Sequence, residues 1–122
     1  MTSPIQNRIG SVFIPVSDMG RAVDWYSNLL NLPVTRTSHE GTIYDVPMAG
    51  ETGLILDSTK PEVRNSSHPL FFFLTENIQA VHEFLRQNAV EIVSQIEDIG
   101  SMYILIFKDL DNNLLMVCQR KA

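Results

Sequence analysis

The stretch Ile9–Val34, IGSVFIPVSDMGRAVDWYSNLLNLPV, constrains this chain more than any other. Ile9–Val16 is mostly apolar and rich in β-branched residues, which predicts a strand buried on both faces. Ser17 and Asp18 break that run and supply side-chain oxygens for the unpaired N–H groups of a helix start. Met19, Ala22, Val23, Tyr26, Leu29 and Leu30 then recur at steps of three and four, as along one helix face. Asn31 suits a left-handed helix terminator, and Pro33 prevents continuation.

The rest of the chain follows the same grammar. Met1–Arg8 is a polar arm. Val34–Glu40, Thr42–Met48 and Gly53–Asp57 are expected as strands, separated by turns at Glu40-Gly41 and Gly50. Ser58–His68 is polar and poor in apolar residues, and reads as a linker. Pro69–Thr75 restarts as a strand, Glu76–Asn88 as a helix with Ile78, Val81, Phe84 and Leu85 inward. Val90–Ile96, Ser101–Phe107 and Leu114–Gln119 are the last expected strands.

The order β-α-β-β-β thus occurs twice, in modules 9–57 and 69–119. A spacing of 58 aligns Ala22-Val23 with Ala80-Val81 (80 − 22 = 58), Tyr26 with Phe84 and Phe13 with Phe71. The fold class expected is α+β. Two βαβββ modules would pair into a curved eight-stranded sheet around a central cavity, with the helices outside.

A chain of 122 residues with 44% hydrophobic and 19% charged residues has enough apolar material for a core. Its net charge of −5 argues against nucleic acid as a partner. The densest basic grouping, Arg120–Lys121, reads as a solvated tail. One cysteine, Cys118, rules out an intrachain disulfide framework. No apolar run approaches the roughly 18 residues that span a bilayer, and no signal-peptide pattern opens the chain. A cytoplasmic location with no membrane partner is expected.

Two motifs then carry a resemblance. Val16-Ser17-Asp18-Met19-Gly20-Arg21-Ala22-Val23-Asp24-Trp25-Tyr26, followed by Leu29-Leu30-Asn31-Leu32-Pro33-Val34, resembles the opening V-x-D-x-x-x-A-x-x-F-Y … L-L-G-L of the vicinal oxygen chelate superfamily. Phe107-Lys108-Asp109-Leu110-Asp111-Asn112-Asn113-Leu114 is similar to its F-x-D-P-D-G-N/H turn. That group takes in glyoxalase, bleomycin resistance proteins and extradiol dioxygenases. Here Leu110 replaces the usual Pro, and Asn112 and Asn31 replace Gly, at positions where Asn still tolerates a left-handed backbone.

The resemblance implies a divalent metal held by His, Gln or Glu on the first and fourth strands of each module. Those positions fall at Ser11, Pro69, Ile55 and Met116, none a usual ligand. No cofactor is therefore expected. His68, His39 and Glu40 remain as alternative metal ligands, with Asp57 beside them, for a metal-dependent lyase, isomerase or dioxygenase.

Alternation from Ser11 adds Phe13 and Pro15 to the same face, while Pro69 brings Phe71 and Phe73, and Met116 brings Leu114 and Cys118. Tyr44, Met48, Ile55, Asp57 and Met102 or Tyr103 complete the expected ligand-binding wall. An apolar, aromatic wall of this kind suits a small, partly aromatic molecule taken up without metal. Two other readings stay open: the metal-dependent enzyme, and a non-catalytic structural or regulatory dimer with the space filled as core. The linker permits module pairing within one chain or across a homodimer.

Overall fold

The computed structural model describes residues 2–60 and 67–121. The chain divides into two compact units, Met1–Glu62 and Val63–Ala122. Part of the expected linker, residues 61–66, lies outside the described residues.

The first unit runs β1 (Ser11–Pro15), α1 (Met19–Leu30), β2 (Ile43–Val46) and β3 (Gly53–Asp57). The sheet order is β1-β3-β2, with β1 parallel and β2 antiparallel to β3. Pro15 is tolerated because β1 is an edge strand, where one row of N–H groups is unused. Asp18 caps α1: its Oδ1 accepts the Arg21 N–H at 3.1 Å. Asn31 ends the helix at φ 53°, in the left-handed conformation expected of it.

The second unit repeats the plan as β4 (Phe72–Leu74), α2 (Ile78–Gln87), β5 (Glu97–Asp98), β6 (Met102–Lys108) and β7 (Leu114–Arg120). Its sheet order is β4-β7-β6-β5, and β4 is again parallel to the last strand. Asn77 caps α2, its Oδ1 accepting the Ala80 N–H at 3.0 Å. Between β6 and β7 the Asp109 carboxylate accepts the backbone N–H groups of Asp111 and Asn113 and the Asn113 amide. Asn112 takes φ 63° in that turn, so Asn does the work of the family's usual Gly.

In each unit one sheet face is covered by its helix. Ile14, Val16, Tyr44, Val46, Leu54 and Leu56 are buried with Ala22, Val23 and Tyr26 of α1. Leu105, Phe107, Leu115 and Val117 are buried with Ile78 and Leu85 of α2. Each buried Val, Leu, Ile or Phe among them contributes about 1.5–3 kcal/mol, so this burial stabilises each unit internally.

Two of the eight expected strands do not form among the described residues, and both fall at the same place in the plan; a short strand that was not expected, β5, brings the described strands to seven. Val34–Glu40 is exposed and pairs with the sheet backbone at a single bridge, from Ser38 to Ile43. Val90–Ile96 is reduced to one bridge, Ile92 to Phe107. There the N–H groups of Val93 and Ser94 both reach the carbonyl of Ile106, which breaks the ladder as a bulge does. The segment after each helix is a sheet edge, and irregular edges keep other chains from pairing there. Arg120–Lys121 is likewise no free tail: Arg120 ends β7, and the Lys121 Nζ lies 2.7 Å from Asp98 Oδ1. Among the described residues no helix is long and apolar enough to cross a membrane.

Candidate functional site

Strand register decides which side chains share the helix-free face of each sheet. In the first unit Phe13 pairs with Ile55, and Ile55 with Asp45. Pro15 pairs with Asp57, and Ser11 with Gly53. These residues alternate with buried Ile14, Leu54 and Leu56, so they line the face away from α1. Phe13 is 56% exposed on that face. The expected set Ser11, Phe13, Ile55 and Asp57 is therefore brought together.

Tyr44 does not join it. It pairs with Leu56, is 0% exposed, and lies on the helix side. Burial raises its phenol, but hydrogen bonds with Thr35 and with Ser27 of α1 outweigh that and leave it below the usual tyrosine value. The Thr35 N–H donates to its hydroxyl at 3.1 Å. Tyr44 is a core anchor, and its expected place on the open face is corrected. Met48 is half-buried beyond the end of β2, outside the paired rows. Asp57 accepts from the Thr59 N–H at 2.8 Å and the Thr59 hydroxyl at 2.6 Å, so its carboxylate closes its own turn.

In the second unit the open face is carried by even-numbered residues. Phe72 pairs with Met116 and Met116 with Ile106; Leu74 pairs with Cys118 and Cys118 with Ile104. Met102 belongs to the same set through its pairing with Arg120. Phe73 pairs with Val117, which pairs with buried Leu105, so Phe73 is on the helix side. Phe71 stacks edge-on against Phe73, with ring centroids 5.2 Å apart. Tyr103 pairs with Gln119, whose Oε1 accepts the first α2 amide, from Ile78, at 2.7 Å. The expected open-face placement of Phe71, Phe73 and Tyr103 is thus corrected, and Phe72 is the aromatic that the sequence reading missed.

The misfacing of Phe71 and Phe73 comes from the assumed spacing. The two helix caps, Asp18 and Asn77, stand 59 apart (77 − 18 = 59), as do the buried helix residues Tyr26 and Leu85. The matching caps were the available signal. A one-residue slip moves a strand's side chains to its other face. At the corrected spacing Phe13 matches Phe72, and Ser11 matches exposed Leu70 rather than Pro69.

The positions that the resemblance reserves for metal are then Ser11, Leu70, Ile55 and Met116. One hydroxyl, two hydrocarbons and a thioether do not form a donor set for a hard or borderline cation. His68 and His39 are exposed, each with Nδ1 near the hydroxyl of the preceding serine, at 3.1 and 2.9 Å. Glu40 is exposed in a loop at φ 57°. Among the described residues, no three His, Cys, Asp or Glu side chains come together as an ion would require. Cys118 is fully buried, and burial pushes its thiol above the ordinary value, away from the reactive thiolate.

A family model described as Glyoxalase/Bleomycin resistance protein/Dioxygenase superfamily matches residues 8–117. A comparison with curated proteins finds no significant match. Among solved structures, the chain is similar to TnmS3, an antibiotic binding protein from Streptomyces sp. CB03234, at 20% identity and TM-score 0.78, over 98% of this chain and 100% of that one. It is similar to lactoylglutathione lyase from Agrobacterium tumefaciens at 14% identity and TM-score 0.73, over 96% of each chain. Oxidase ChaP-H1 shares the fold at 12% identity and TM-score 0.72, over 95% of this chain and 98% of that one. A binder, a lyase and an oxidase on one fold show that the architecture alone does not choose among activities.

Proposed function

The chain belongs to the glyoxalase/bleomycin resistance protein/dioxygenase superfamily, and from that premise we propose that it binds a small, partly aromatic molecule without the family's metal. The observation that carries this reading is a repeated pair. Phe13 beside Ile55 and Phe72 beside Met116 occupy equivalent places on the helix-free faces of the two units. Both rings are accessible, Phe72 at 42%. Ile55 and Met116 stand where the resemblance calls for metal ligands. An aromatic face with an adaptable thioether beside it favours flat apolar ligands through stacking and burial. The antibiotic binding protein of the same fold supports this class of role, at an identity that speaks only to fold.

Two measurements test the proposal. Elemental analysis of protein purified without chelators should find no stoichiometric divalent metal; a bound equivalent of metal would overturn the reading. Mass spectrometry of denatured protein should release a small molecule containing an aromatic ring. That molecule, added back, should raise the melting temperature of the wild type, since a ligand of the folded state stabilises it. Phe72→Ala should cut that rise sharply, and an undiminished rise would remove Phe72 from the site.

A further inference from the structure

A second place on the molecule has the shape of a binding site, and it lies wholly in the second unit. At the end of the sheet where β4 passes into α2, a groove of about 880 Å³ runs along Leu74, Glu76, Tyr103, Gln119, Arg120 and Lys121. It continues under the start of α2 into a second hollow of about 550 Å³ that shares Glu76, Tyr103 and Gln119.

Its walls are held before any ligand arrives. Gln119 is pinned by the Ile78 amide. Lys121 is tied through its Nζ to Asp98 at 2.7 Å and through its N–H to the Ser101 carbonyl at 3.2 Å. The same ammonium sits 4.9 Å from the centre of the Tyr103 ring. A preformed groove loses less conformational freedom on binding than a loop that must order.

The charges in it are unevenly satisfied. Asp98 and Lys121 neutralise one another. Glu76 and Arg120 line the groove with no ion-pair partner among the described residues. One free charge of each sign remains, next to the apolar Leu74 and the Tyr103 ring. A ligand with a single charge would satisfy one of them and face the other as a like charge.

We propose that this groove binds a small zwitterion with an apolar or aromatic body, its carboxylate on Arg120, its ammonium on Glu76 and its body against Leu74 and Tyr103. The guanidinium is suited to the carboxylate because its planar fork can donate two parallel hydrogen bonds. The groove lies at the strand ends: Leu74 and Arg120 share the sheet face of Phe72, but Phe72 itself does not line it.

The test uses three probes that share one ring: L-tryptophan, indole-3-acetate, which lacks the ammonium, and tryptamine, which lacks the carboxylate. Each is titrated into the ¹⁵N-labelled full chain. Tryptophan should shift the backbone amides of Glu76, Tyr103 and Arg120 saturably, and each singly charged probe should bind about three- to tenfold more weakly. Arg120→Gln should remove the advantage of tryptophan over tryptamine, and Glu76→Gln its advantage over indole-3-acetate. Both side chains are exposed, and the spectrum itself reports that each variant is folded. Saturable shifts at Phe13, Phe72 and Met116 in place of those at Glu76, Tyr103 and Arg120 would put tryptophan on the other open-face residues and overturn the proposal. Absence of saturable shifts at those three amides, or equal binding of all three probes, would overturn the proposal.

Discussion

Asp109 is only 7% exposed, and one of its carboxylate oxygens accepts two backbone N–H groups of its own turn while the other takes the Asn113 amide. Asp109→Ala leaves those donors without a charged acceptor and should lower stability by about 2 kcal/mol, read by urea unfolding. A loss within error of zero would mean that water replaces the carboxylate. Asp57 makes a pH-dependent contribution. The Thr59 hydroxyl, and then its backbone N–H, hold the Asp57 carboxyl below the usual carboxylate range. The unfolded chain therefore takes up that proton at a higher pH than the folded one. The stabilisation is complete above the unfolded value of roughly 3.9 and is lost as pH falls through the lower folded value. Asp57→Asn should flatten the acid limb of stability against pH, and an acid limb as steep as the wild type's would contradict this. Glu40, at φ 57° in an exposed loop, is strained for an L side chain. Glu40→Gly should add about 1 kcal/mol, measured the same way.

The two helices are the elements whose ends are written locally. Asp18 and Asn77 each accept an N–H from the residue three positions on, so Asp18→Ala and Asn77→Ala should each cost about 1 kcal/mol. Matching drops in melting temperature would check that, and a silent Asn77→Ala would show that the Gln119 contact at Ile78 holds α2 alone. The helix over Met19–Leu30 was legible because periodicity, cap and terminator all agree within a dozen residues. The two segments after the helices were not. Their alternation is real, but at a sheet edge it need not produce a ladder, because only one neighbour is present to pair with.

Across the whole molecule, stability should be distributed by strand position. β3 and β7 are paired on both sides, whereas residues 34–41 are exposed with a single bridge. Native-state hydrogen exchange should find the slowest amides among Leu54, Leu56 and Val117, and fast exchange over 34–41. Slow exchange throughout 34–41 would mean that this edge is paired in solution as a full strand.

The amino-acid sequence by itself determined the repeated plan of strand, helix and strands, the caps, the left-handed turns at Asn31 and Asn112, and the want of metal-ligand chemistry at Ser11, Ile55 and Met116. These are local properties, set by side-chain chemistry and by spacing within one element. Only the tertiary structure decided which face of β4 is open. A strand as apolar as Pro69–Thr75 carries no polar alternation to mark its outer side, so its facing rests on pairing with a strand more than forty residues away. That pairing turned Phe71 and Phe73 towards the helix and left Phe72 accessible.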